Sequence, residues 1–256
     1  MLKIGISSYC YGLIDVSQAL KNTANLGLRN VEIVSFCHLP FNPIDESLIK
    51  LVKNELKNNG LKASSYYSTG FDLKSISTAE NACIVAKSLG AKLLVGTGTM
   101  GRQGDNNSAQ KALKMLDNVL DRYDMRFALE NHWRNIAETP EDMVNLVKDC
   151  SLNIGFALDT GHFVSSGINP MKAVEQLLRR SYDIHLKDIE ESGTHRNVPY
   201  GEGKAKIEEV LKILMTHDYD GPVTIEFETE DSDPTEGLRK CVEFLRIRYP
   251  KESFET

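Results

Sequence analysis

The feature that most constrains this chain is a rhythm. Short runs of β-branched and aromatic residues alternate with longer amphipathic stretches from end to end. The β-runs are Lys3–Tyr9, Val31–Phe36, Lys62–Ser68, Lys92–Gly98, Arg126–Asn131, Ile154–Asp159, Asp183–Asp188 and Pro222–Glu228. Their starts recur about every 30 residues, and a helical pattern follows each, which implies parallel strands joined by crossover helices. Eight such units in 256 residues match the size of a closed (β/α)8 TIM barrel. An open doubly wound sheet is the competing architecture. It usually carries a glycine-rich turn after its first strand, and the turn after Lys3–Tyr9 has none. Local signals sharpen the helix boundaries. Asp45 is placed to cap one helix and Gly60 to end it, and Thr139 followed by Pro140 opens another. No linker or low-complexity stretch divides the chain, so residues 1–256 are expected to form a single barrel domain, with a frayed tail at KESFET.

Composition narrows the class of partner. The net charge of −6 disfavours general binding to a phosphate backbone, which needs a basic face. The five cysteines, Cys10, Cys37, Cys83, Cys150 and Cys241, are scattered and contain no CxxC pair, as expected of reduced thiols. The chain opens directly on its first strand, and no apolar run approaches the ~18 residues of a membrane span. A soluble cytoplasmic protein with no membrane or nucleic-acid partner is the expectation.

In a barrel of this type the reactive groups sit at the carboxyl ends of the strands. The fifth run ends in Glu130, Asn131 and His132, and the sixth in Asp159 followed by His162. The seventh carries His185, Lys187 and Asp188, and the eighth carries Glu226 and Glu228 on one side. Each residue alone has a plainer reading. Glu226 could lie at the surface, His185 could be a hydrogen-bonded core histidine, and Asp159 could cap a turn or helix. Together they put a carboxylate or imidazole on four adjacent strand ends. Burying them is costly unless they are paired or bind a metal. Two Glu, one Asp and one His suit Mn2+, Mg2+ or Co2+, and Zn2+ is also compatible.

At LEN, LDTGH, HLKD, YGEGK (Tyr200–Lys204) and TIEFE the chain resembles the xylose isomerase-like barrel superfamily. More narrowly it is similar to the sugar isomerase/epimerase branch with tagatose/psicose 3-epimerase-type sites, and the resemblance covers essentially the whole sequence. It implies one divalent metal, manganese first, held by Glu130, Asp159, His185 and Glu226. It also implies Glu130 and Glu226 as acid and base, with His162, Arg196 and Lys187 among the substrate contacts. Small sugars or polyols are the implied partners, and a homo-oligomer is the implied assembly. The corresponding chemistry is removal of a proton α to a ketose carbonyl, through an enediolate that the metal stabilises.

The chain departs from that pattern at ENHWRN, where the sugar epimerases commonly read Glu-Pro-Leu-Asn. His132 there either faces the substrate or caps the loop. Glu-Asn-His makes dehydration of a keto-inositol or related polyol the alternative reaction. The endonuclease IV type of barrel is a further alternative. It needs histidines on the third and fourth strands and an Asp-x-His group after the seventh, and all are missing here, so metals beyond the first are not expected. A non-catalytic polyol binder would have no use for an intact ligand set. YGEGK reads either as a phosphate-approaching turn or as a tight turn opening the next helix. Arg102 and the glycines of TGTMGRQG read as a lid over the site.

Overall fold

A computed structural model describes residues 1–68, 75–97, 105–229 and 233–249. The expected lid around Arg102 and the tail KESFET lie outside the described residues. The strands are β1 (Lys3–Ser7), β2 (Asn30–Val34), β3 (Lys62–Tyr67) and β4 (Leu93–Thr97). They continue with β5 (Arg126–Glu130), β6 (Ile154–Asp159), β7 (Ser181–Leu186) and β8 (Pro222–Ile225). All pair in parallel in chain order, and β8 returns to β1 through Lys3↔Pro222 to Ile6↔Ile225, closing the barrel. The helices are α1 (Val16–Asn25), α2 (Glu46–Asn58), α3 (Ile76–Ser88), α4 (Asn106–Tyr123) and α5 (Pro140–Val147). They continue with α6 (Thr160–Ser165), α7 (Pro170–Leu177), α8 (Ile207–Thr216) and α9 (Thr235–Arg248).

The local signals act as the sequence indicates. Asp45 accepts hydrogen bonds from the Ser47 and Leu48 amides, and Gly60 follows the end of α2 with φ +65°. Thr139 and Asp142 form a reciprocal capping box, with Pro140 in the first turn of α5. Apart from β3, the strands are almost wholly buried, as expected of a parallel sheet covered outside by helices and filled inside by side chains.

The strand ends differ from the sequence reading in one consistent way. β1, β2, β3, β5, β7 and β8 all stop earlier than their sequence runs suggest. After β1 the chain coils into a 3-10 turn at Ser8–Tyr11, whereas the amides of Ser35, Asn131 and Glu226 just past β2, β5 and β8 still donate to neighbouring-strand carbonyls. The short helix α6 is a second difference. TGHFVS has no apolar period to betray it. It forms because Asp159 caps it, Oδ1 accepting from the His162 amide at 2.7 Å. The five cysteines are free. No helix among the described residues is long and apolar enough to cross a membrane.

Candidate metal and catalytic site

Strand register builds the site. Glu130 ends β5 beside Ala157 of β6, Asp159 ends β6 beside His185 of β7, and His185 lies beside Thr224 of β8. Glu226 follows β8, its amide still bonded to the Leu186 carbonyl at 2.9 Å. Asn131 stitches β5 to β6, donating to the Asp159 carbonyl (3.0 Å) and accepting from its amide (2.8 Å). Thr160 does the same for β7, with Oγ1 donating to the Lys187 carbonyl (2.8 Å) and accepting from its amide (2.9 Å). These side chains fix the strand ends at the spacing the charged groups require.

Glu130, Asp159, His185 and Glu226 are all buried, and one ligand atom from each lies within 4.8 Å of the others. His185 Nδ1 stands 2.8 Å from Glu130 Oε1 and 3.0 Å from Glu226 Oε2. Neither contact has hydrogen-bond geometry, and Asp159 Oδ2 accepts no hydrogen bond. Carboxylate oxygens crowded on one ring nitrogen, off its N–H direction, are arranged as ligands around a common cation. The donor set therefore fits a divalent ion.

The protonation pattern agrees. Burial raises the Asp159 carboxyl to about 7 against the pull of Lys187, with the charges of Glu226 and Glu130 adding to the rise. Burial would raise Glu226 too, but Lys187 and His185 hold it well below the usual carboxylate range. Burial would lower His185, but Glu32, Glu130 and Glu226 hold it well above the usual imidazole value. A proton thus does in part what an ion would do.

Several participants escape sequence reasoning. Glu32 of β2 is fully buried, and its Oε2 lies 3.4 Å from His185 Nε2. Ser7 and Ser65 donate to its two oxygens at 3.0 and 3.1 Å. This carboxylate lies behind the imidazole, within ion-pair range of the nitrogen that faces away from Glu130 and Glu226. The signal was a lone charged residue inside NVEIV. Tyr67 donates to Glu130 Oε2 at 2.5 Å, and its phenol is pushed well up by burial and by Glu130, so it remains a donor. His195, from the loop after β7, joins His132 and His162 as a third imidazole at the mouth. Burial lowers the values of His162 and His195, with Lys187 adding to the effect.

Other expected residues are placed differently. Lys187 is buried and saturated, its ammonium 2.6 Å from both Glu226 Oε1 and Glu228 Oε1 and 3.5 Å from Asp159 Oδ2. It is an internal counterion rather than an open substrate contact. Gly161 is required by that packing, because a Cβ there would stand 2.5 Å from Lys187 Cγ. Arg196 is not brought to the site. Its exposed guanidinium pairs with Glu190 at 3.1 Å, and the preceding His195 points into the cavity instead. The YGEGK turn is filled by the protein itself. The Gly201 and Gly203 amides donate to Asp188 Oδ2, and the Ala205 amide donates to Oδ1. Its anion-binding amides are therefore spent, and the turn serves to open α8.

The cavity above the quartet is about 170 Å³ and is lined by Tyr9, Phe36, Tyr67, Glu130, His132, His162, His195, Glu226 and Glu228, among others. The family model for xylose isomerase-like TIM barrels matches residues 20–248. The chain belongs to that family. Among its relatives is an inosose dehydratase of Clostridium botulinum (strain Eklund 17B / Type B), 25% identical over 77% of this chain and 80% of the relative. The fold is shared with the IOLI protein carrying a zinc atom (TM-score 0.80, 19% identity, 97% of this chain and 100% of that one). It is shared also with the D-allulose 3-epimerase of a Methylomonas species bound to D-allulose (TM-score 0.78, 20% identity, 97% of each chain). An inosose dehydratase is thus among the relatives and the fold is shared with an epimerase, and the site described above lies at the rim of the xylose isomerase-like barrel.

Proposed function

We propose that the protein is a divalent-metal-dependent enzyme that dehydrates a neutral cyclic keto-polyol, of the keto-inositol class, by removing the proton α to its carbonyl. Glu130, Asp159, His185 and Glu226 are the metal ligands in this reading, with Mn2+ the expected ion and Mg2+, Co2+ and Zn2+ compatible. When bound, such an ion polarises the carbonyl and stabilises the enediolate. Glu130 takes the α proton. The β carbon–oxygen bond then breaks, a carbon–carbon double bond forms, and the proton passes to the departing hydroxyl, which leaves as water. Nothing is oxidised or reduced. His132 and His162 hold substrate hydroxyls as hydrogen-bonding groups.

The observation that carries this reading is the contact of Lys187 with Glu226. Epimerisation needs a second base on the opposite face of the substrate, and the adjacent ammonium makes Glu226 a weak one. Elimination needs one base only. The inosose dehydratases among the relatives point the same way. Epimerisation keeps one observation in its favour, since Glu130 and Glu226 face the same point.

The neutral substrate follows from the lining. Among the described residues no lysine or arginine lines the cavity, Lys187 is saturated, and Glu228 would repel an anion. NMR of keto-inositols and ketoses, free and phosphorylated, incubated in D₂O with Mn2+, tests the reading. Water loss from an unphosphorylated keto-inositol, abolished in Glu130→Gln, is the expected result. Deuterium incorporation with an epimer as product would make the enzyme an epimerase. No exchange with any substrate would overturn proton abstraction altogether.

A further inference from the structure

Half of the six histidines of the chain meet at one place outside the metal quartet. His132 follows β5, His162 lies on α6, and His195 comes from the loop after β7. One ring nitrogen from each lies within 4.8 Å of the others. Ring centroids are 3.9 Å apart for His132–His162, 4.9 Å for His162–His195 and 6.2 Å for His132–His195. A tetrahedral zinc ion with Zn–N bonds of ~2.0–2.1 Å places its nitrogens about 3.3 Å apart, so small side-chain rotations would close the set.

Two details prepare these rings as ligands. His132 Nδ1 lies 2.9 Å from the Trp133 carbonyl, which can only accept. Nδ1 therefore carries the proton and Nε2 keeps its lone pair, the arrangement typical of a metal-bound histidine. His162 is 4% exposed, and its Nδ1 is buried with no hydrogen-bond partner. Such an atom is costly to leave unpaired.

We propose that His132, His162 and His195 form a second, nitrogen-only metal site that accepts Zn2+ or Co2+ but not Mn2+ or Mg2+. Imidazole suits the borderline transition metals, whereas Mn2+ and Mg2+ prefer oxygen. The two sites therefore sort ions by chemistry. The oxygen-rich quartet takes any of the four, and the imidazole trio takes only the softer pair. All three rings line the cavity, so an ion on them occupies room a substrate would need. Zinc beyond the first equivalent becomes an inhibitor that competes with substrate.

The test uses the full chain stripped of metal and titrated with Co2+, read by calorimetry and by visible absorption, with Mn2+ in parallel. The wild type is expected to bind two Co2+ but one Mn2+, the trio giving the intense visible bands of a tetrahedral site. His195→Gln, in a half-buried loop position, is expected to lose one Co2+ and those bands while keeping its Mn2+. His132→Gln provides a second variant with the same expected loss. Glu226→Gln separates this proposal from the quartet, since it should weaken Mn2+ binding and spare the bands. One Co2+ per wild-type chain, lost in Glu226→Gln, would overturn the proposal. So would two Co2+ with unchanged bands in His195→Gln. One Co2+ lost in His195→Gln but kept in Glu226→Gln would uphold the trio and remove the quartet as a metal site.

Discussion

Glu32 shows how much of the site lies behind its visible ligands. A carboxylate buried in the middle of a strand is tolerated only because Ser7, Ser65 and His185 satisfy it. Glu32→Gln keeps the shape but removes the charge paired with the far side of the imidazole. Metal affinity is expected to fall roughly 10–100-fold, the usual cost of losing such a partner, with the fold retained. Calorimetric titration with Mn2+ checks this, and unchanged affinity would mean that Glu32 is only a packing residue. Gly161 makes a similar point through its lack of a side chain. Gly161→Ala drives a methyl group into the Lys187 stem and displaces its ammonium from Glu226. Turnover is expected to fall while Glu226 regains basicity. In the D₂O incubation, any remaining product should then shift from dehydration toward epimerisation, and an unchanged product ratio would contradict the role given to Lys187.

At the scale of elements, caps and strand ends divide the labour between stability and chemistry. The Thr139 capping box holds the start of α5, and Thr139 is not among the residues that line the cavity. Thr139→Ala should cost about 1 kcal/mol in urea denaturation and leave turnover at saturating substrate unchanged. The elements were largely legible in the sequence, because short β-branched and aromatic runs differ sharply from longer amphipathic stretches of period 3.6. The quartet was legible for a related reason, since a charge inside an apolar run is conspicuous at Glu130, Asp159, His185 and Glu226. The failures share a cause. His195 lies in a loop with no period, and loop geometry decided whether it or Arg196 turned inward. Glu32 was visible as a charge in a strand, but not as a partner for His185, which sits five strands later. The glycines of YGEGK resembled an anion cradle because they are one. What the sequence could not reveal was that Asp188, thirteen residues upstream of Gly201, fills it.

At the scale of the whole molecule, the barrel concentrates negative charge that folding alone does not neutralise. Glu32, Glu130, Asp159, Asp183, Glu226 and Glu228 are set against His185 and Lys187, and metal binding is therefore linked to both stability and pH. In the metal-free fold Asp159 keeps its proton up to about pH 7, whereas its ordinary value is 3.8. A carboxyl raised on folding binds protons more tightly in the folded chain, so its contribution to stability falls as pH rises from about 4 to 7. Burial likewise raises Asp183 to about 7, which deepens the same loss. A divalent ion reverses the penalty at Asp159 by replacing its proton, and His185 must also release the proton from its ligating nitrogen. The ion should therefore bind at least tenfold more weakly at pH 6 than at pH 8. At an ion concentration 100 times the pH 8 dissociation constant, binding adds about 2.7 kcal/mol. That corresponds to roughly 5–10 °C in Tm for a chain of this length. At pH 6 the same ion concentration should add no more than about half as much. Thermal unfolding with and without Mn2+ at the two pH values measures the difference. Equal shifts at pH 6 and pH 8 would mean that no proton leaves when the ion arrives, and that Asp159 and His185 are not its ligands.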